Sequence, residues 1–241
     1  MKKIIFALLT LAAVACTKDD RPLQRQAIFL SPTVGATRAT VNYAAVDYFA
    51  AEGYADATVE VKSFTGTFRA NYRYATGTLS PLADTLWFPY DGLPLDTLTV
   101  WWPALEKRTP LPVDQSDRAI FLSADWLKVL LTNVPHAVNV PIALQHERSK
   151  FTFTLAGALA GTKIRSLMLG RYTAYCDPSP AINDAQLIFD HEHATDIFAT
   201  GLVGDFTYEE SGTSKWGVFS LKNLPSLQPV GTNYTIEIDI N

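Results

Sequence analysis

From Tyr234 to Ile240 every second residue is apolar, with Tyr234, Ile236, Ile238 and Ile240 separated by Thr235, Glu237 and Asp239. A side-chain period of two belongs to a β-strand with one face in a core and one in water. The same rhythm runs through residues 58–62, 97–101 and 151–155. In the last of these Phe151, Phe153 and Leu155 share one face, and Thr152 and Thr154 occupy the other, where threonine suits a pleated, solvent-facing surface. Turn signals separate the runs: Asp91-Gly92, Leu93-Pro94, Asp177-Pro178-Ser179-Pro180, Gly201 and Gly231. Short strands between turns predict an all-β chain of one or two antiparallel β-sandwiches. Helical signals are few. Ser123 as N-cap with Asp125 in the first turn predicts a short helix through Leu131, although Val129-Leu130-Leu131 would serve equally well in a strand. The segment from about 105 to 140 breaks the rhythm, is rich in proline (Pro110, Pro112, Pro135 and, at its end, Pro141), and places a boundary near His136.

The N-terminus reads as an address label. Lys2 and Lys3 precede an apolar stretch, residues 4–13, and Ala13-Val14-Ala15-Cys16 puts small residues ahead of a cysteine, the pattern of a secretory signal with a lipoprotein-type cleavage site. The apolar stretch falls short of the roughly 20 residues that cross a bilayer. After cleavage Cys16 would become the N-terminus and carry acyl chains such as palmitate. The organisation expected is a signal peptide over 1–15, a lipidated linker over 16–26, and domains over 27–136 and 137–241. A mature chain of roughly 225 residues has room for both.

Composition excludes several classes. Hydrophobic residues make up 48% and charged residues 18%, so a sizeable core is affordable. Net charge is -4 with no run of Lys or Arg, which argues against a nucleic-acid partner. Of two cysteines, an acylated Cys16 leaves Cys176 without an intrachain partner, so no disulfide framework is expected and Cys176 should be buried and inert. No Gly-x-Ser-x-Gly elbow or glycine-rich phosphate loop occurs, and residues 172–176 do not resemble a cysteine-nucleophile segment. Asp190-His191-Glu192-His193 is the best metal-like cluster, since His191 and His193 would share one face of a strand. A structural zinc site needs about four ligands, and no second cluster exists, so the segment reads as a polar strand end. His146 reads as a hydrogen-bonded histidine beside a strand. No catalytic, cofactor or metal residue is therefore expected, and the chain is not expected to be an enzyme.

The aromatic residues open a rival function. Trp87, Tyr90, Trp101, Trp102, Trp126 and Trp216 could stack on sugars, as in surface glycan-binding lipoproteins. Trp101 and Trp102 are adjacent, so on a strand one faces in and the other out. An outward Trp102 would call for a ligand or a partner.

Several stretches, taken in order, resemble one family. Ala27-Ile28-Phe29-Leu30-Ser31, followed by Ala36-Thr37-Arg38-Ala39-Thr40, resembles the start of mature fimbrillin-type lipoproteins, where an apolar strand precedes a Thr-Arg-Ala motif. Leu86-Trp87-Phe88-Pro89-Tyr90-Asp91-Gly92 and the strand ending at Trp102-Pro103 are similar to that family's aromatic-x-proline segment and its following strand. Residues 140–151, with central His146 and then Lys150, resemble a further strand of the family. Thr17-Lys18-Asp19-Asp20 resembles the export tag of outer-surface Bacteroidota lipoproteins.

The family comprises subunits of Bacteroidota fimbriae (type V pili) and related surface adhesins. The resemblance implies two transthyretin-like antiparallel β-sandwich domains, an outer-membrane lipoprotein at the cell surface, and assembly by β-augmentation. It implies partners among other fimbrial subunits, the outer membrane through the lipid anchor, and a ligand on a host or bacterial surface. A protease cutting after Arg38, or less favourably after Arg25, would remove the strand 27–30 and open a groove. A neighbour's C-terminal strand, with Tyr234, Ile236, Ile238 and Ile240, would fill it. An end at Asn241 directly after that strand, where many stalk subunits are longer, argues against stalk polymerisation and leaves an accessory, tip or short-adhesin role open.

Overall fold

The computed structural model describes residues 25–34, 56–89, 92–190, 203–221 and 230–239. The first seven strands are β1 (Leu30–Val34), β2 (Asp56–Ser63), β3 (Gly66–Ala75), β4 (Thr78–Pro81), β5 (Leu95–Trp102), β6 (Leu127–Val134) and β7 (Val140–His146). They close into a barrel in the order β1-β4-β3-β2-β5-β6-β7. Between β3 and β4, Thr76 and Gly77 both have positive φ, 49° and 86°, the conformation of a primed hairpin turn whose twist matches its strands. Alternate residues point inward, so Val59 of β2, Tyr72 of β3, Leu79 of β4, Leu98 and Val100 of β5 and Leu144 of β7 meet in one core. Each such side chain contributes about 1.5–3 kcal/mol by leaving water.

The remaining strands are β8 (Ser149–Leu155), β9 (Ile164–Leu169), β10 (Tyr172–Thr173), β11 (Tyr175–Cys176), β12 (Ala185–Phe189), β13 (Val203–Glu210), β14 (Thr213–Ser220) and β15 (Asn233–Ile238). They form two four-stranded sheets, β10-β9-β13-β14 and β11-β12-β8-β15. Both contribute to a second core rich in aromatic rings. Phe151 meets Phe189 edge-on at 5.0 Å and stacks on Tyr234 at 5.1 Å, geometries that favour the ring quadrupoles.

The all-β expectation holds, with three differences. The first sheet is a closed barrel rather than a sandwich, because β1 bridges β4 and β7. Two pairings, β1 with β7 and β8 with β15, are parallel rather than antiparallel. A period of two is common to both directions, so the rhythm carries no information on direction. The helix is also displaced. It is α1 (Arg118–Ala124), capped by Asp117, whose carboxylate accepts from the Ala119 and Ile120 amides at 2.8 and 3.1 Å. Ser123 lies inside the helix, donating to the Ile120 carbonyl, and residues 127–131 belong to β6. Seven register pairs with β5 outweigh the local helix signal there.

The changeover between the two sheet systems falls at Glu147–Arg148, between β7 and β8, whereas the sequence drew the join at 136/137. The proline-rich segment instead ties the two systems together. The wholly buried Gln115 side chain donates to the Ile188 carbonyl at 2.9 Å and accepts from the Ile188 amide at 2.8 Å, pairing with β12 as a neighbouring strand would at that one residue. Phe121 of α1 stacks on Tyr175 of β11 at 5.1 Å, so the helix packs on the sheet face turned away from the second core.

Candidate functional site

Residues 26–34 form a seam strand in the barrel. Ile28 and Leu30 are wholly buried in the first core. On one side the Ile28 amide donates to the Leu86 carbonyl and the Phe88 amide to the Gln26 carbonyl, both at 3.0 Å. On the other, β1 runs in register with β7 from Leu30 opposite Val140 to Val34 opposite Leu144. The Tyr72 hydroxyl donates to the Ile28 carbonyl at 3.0 Å, and burial pushes that phenol up to about 12, so it stays a donor. The segment is thus gripped by main-chain bonds on both flanks and by apolar pockets beneath it.

The other residues singled out from the sequence fall as follows. Cys16, Arg38, Tyr90, His191, Glu192, His193 and Ile240 lie outside the described residues. Arg25 is exposed immediately ahead of the seam strand. Tyr234, Ile236 and Ile238 face the second core from β15, which pairs with β8 of its own chain. Trp102 is wholly buried, and Trp101 is the outward member of the pair, with the Arg69 and Lys128 cations 5.6 and 5.7 Å from its ring centroid. Arg108 and Arg148 sit over Trp126 at 4.8 and 3.7 Å. Trp87 and Trp216 are exposed.

His146 Nδ1 lies 2.8 Å from the buried carboxylate of Asp125. Cys176 is a free thiol that burial pushes up to about 11, so it stays protonated and is a poor nucleophile. Asp190 accepts from Arg148. Among the described residues no group of three or more His, Cys, Asp or Glu is placed to hold a metal ion.

The second sheet system also carries a cleft. On the face of β8, β12 and β15 turned away from the second core, a cleft of about 490 Å³ is lined by Lys150, Thr152 and Thr154, by Gln186, by Asn233 and Thr235, and by Arg118, Tyr175 and residues around Asp177–Asp184. Outward threonines read as ordinary solvent face, and the walls come from segments remote in sequence. The one local signal was a lysine, Lys150, directly beside a core phenylalanine.

Solved structures share the overall fold. A "putative cell adhesion protein" from Bacteroides uniformis is 14% identical, with 90% of this chain and 92% of that one covered and a TM-score of 0.51. Another from Bacteroides ovatus is 11% identical over 89% and 92%, with a TM-score of 0.52. This chain has their fold. At the level of fold, that likeness supports the fimbrillin-type resemblance carried by the sequence. No family model matches the sequence, and no curated protein matches it.

Proposed function

We propose that this chain is a lipid-anchored adhesion protein of the cell surface, a fimbrillin-type subunit or accessory that works by binding and assembly rather than by catalysis. The observation that carries the reading is the seam strand. A cut after Arg38 would separate residues 26–34 from the rest of the barrel. Loss of that strand would uncover the main chain of β7 and of residues 86–88, together with the pockets filled by Ile28 and Leu30. An uncovered edge beside an apolar groove is a template for strand addition by a neighbouring subunit. In this reading the barrel and the paired sheets correspond to the two transthyretin-like domains, and Cys16 carries the acyl chains that hold the precursor to the outer membrane.

The donor assignment to Tyr234, Ile236, Ile238 and Ile240 belongs to the same proposal, at a cost. The first three fill their own core, and withdrawing each would expose side chains worth about 1.5–3 kcal/mol. The acceptor groove therefore stands at the centre of the proposal.

Intact mass and N-terminal sequencing of protein taken from the native cell surface test it. A chain starting at Ala39, with polymer bands that disappear in Arg38→Ala, is the expected result. An acylated chain starting at Cys16 and remaining monomeric would remove strand exchange and leave an anchored adhesin.

A further inference from the structure

Lys150 and Thr152 lie on the face of β8 that points away from the second core, yet they are only 8% and 9% exposed. Both line the cleft together with Tyr175, held against Phe121 of α1, with the following Asp177–Asp184 stretch, and with Arg118. A sheet face covered in this way is ordinarily apolar, because burying polar groups costs free energy. Here Lys150, Thr152, Thr154, Gln186, Asn233 and Thr235 make it polar around the cleft, while Ile188, opposite Lys150 on the same face, packs into the first core.

The chemistry of the lining narrows the ligand. Planar polar groups converge on the cleft: the carboxylates of Asp177 and Asp184, which accept, and the amides of Asn183, Gln186 and Asn233, which donate and accept. Gln186 Nε2 reaches both Asp184 oxygens at 3.1 and 3.3 Å, and Asn233 accepts from the Thr152 hydroxyl at 3.0 Å, so these side chains are oriented before anything binds. The charges balance, with Arg118 and Lys150 against Asp177 and Asp184, and Arg118 lies 3.6 Å from Asp177. That balance favours neither a polyanion nor a polycation. β8 and β12, which carry Lys150, Thr152 and Gln186, are each paired on both sides, so the middle of the floor offers no main-chain edge to an extended peptide; β15 is the edge strand of the sheet. Vicinal hydroxyls, each donor and acceptor at once, match a mixed set of carboxylates, amides and an ammonium. Ile182 and the Tyr175 ring supply an apolar wall for the C–H face of a pyranose. The volume lies in the range of sites that enclose one small ligand.

We propose that this cleft binds a saccharide, with Lys150, Gln186 and Asn233 as its hydrogen-bonding floor. The inference rests on the adhesive part of the function proposed above and not on strand exchange. Burial of the Lys150 amine pushes it down to about 8, which means the fold keeps a cation where a neutral side chain would be more comfortable.

The test uses the full chain, untrimmed, purified in detergent. It is titrated calorimetrically with neutral gluco-, manno-, galacto- and xylo-oligosaccharides and with uronic-acid oligosaccharides. Binding of at least one class is expected, weakened tenfold or more in Asn233→Ala and Gln186→Ala and abolished in Lys150→Met, with Trp87→Ala and Trp216→Ala unchanged. Circular dichroism confirms that each variant is folded. No binding to any of the panel overturns the proposal. Binding that survives the cleft variants, or that is lost in either tryptophan variant, places the sugar elsewhere and also overturns it. A polymerisation defect leaves these readouts untouched, so the two failures are distinguishable.

Discussion

The guanidinium carbon of Arg148 lies 3.7 Å from the centroid of the Trp126 ring, while its Nη1 donates to the Ala124 carbonyl at 2.7 Å and its Nε to Asp190. Arg148 directly precedes β8 at the point where the two sheet systems meet, and its side chain is almost wholly buried. Arg108 approaches the same ring at 4.8 Å and donates to the Leu127 carbonyl at 2.7 Å and to Glu147. Both guanidiniums are held down by burial, offset by their carboxylate partners.

Arg148→Ala leaves a carbonyl and a carboxylate short of a donor and uncovers one contact of the indole. It should cost about 3 kcal/mol in urea denaturation, in the lower part of the range for breaking a buried pair because Asp190 is partly hydrated. Arg148→Lys keeps the charge but loses the fork, and should recover less than half of that loss. A cost below about 1 kcal/mol for the alanine variant would show that the cluster is not a structural junction.

His146 supplies a pH dependence of definite sign. Burial lowers its value, but the charge of Asp125 and the hydrogen bond to it prevail over both burial and the nearby Lys150, so the net shift is upward from 6.5. The stability contributed by protonated His146 is complete below its unfolded value near 6.5 and is lost as pH rises through the higher folded value. Wild-type Tm should therefore fall across that window relative to His146→Gln. Arg148 sits next to it and does not titrate in that range. Parallel Tm curves for the two proteins between pH 5.5 and 8 would contradict the assignment.

Close approach governs Gly204. A Cβ there would lie 2.3 Å from the Phe219 ring and 2.6 Å from the Met168 carbonyl oxygen. The ring could turn, but the carbonyl belongs to the β9–β13 ladder, in which Gly204 pairs with Leu169. Gly204→Ala should destabilise by about 2–3 kcal/mol through overpacking, and Gly204→Ala with Phe219→Leu should recover only part of it. Chemical denaturation of the single and double variants measures both.

Much of the fold is legible in the chain, and the misses share one cause. The alternation at Phe151, Phe153 and Leu155, and at Tyr234, Ile236 and Ile238, identifies β8 and β15 and the face each buries. That these two strands lie parallel is set by pairing between residues about eighty apart, which no local pattern encodes. Asp117 caps the helix six residues ahead of Ser123, and the competing strand prevails because it pairs along its length with β5. Alternation puts Trp101 and Trp102 on opposite faces, but only the register with β6 shows which one enters the core. Lys150 and Thr152 occupy the outward positions of a half-buried strand. They line the cleft together with Tyr175, residues of the 177–184 stretch and Arg118, so the cleft becomes visible only once distant segments are brought together.

Lys150 links stability to the cleft. Its amine is pushed down to about 8 from 10.5, chiefly by desolvation, with Asp125 and Asp184 pulling the other way. A base whose folded value is lowered binds fewer protons folded than unfolded between those values. The penalty is therefore complete below about pH 8 and is relieved as pH rises towards 10.5. Lys150→Met removes a buried ammonium and keeps the length of the chain, so at pH 7 it should raise stability by about 2 kcal/mol. The advantage should shrink as pH approaches 10, where the wild-type amine is already neutral. Urea denaturation of both proteins at pH 7 and pH 9.5 gives the difference directly, without interference from the tyrosines common to both. A variant less stable than wild type at pH 7 would show that Lys150 is held by attraction strong enough to offset its burial. The lysine would then be a structural ion-pair partner rather than a group retained at a cost for the cleft.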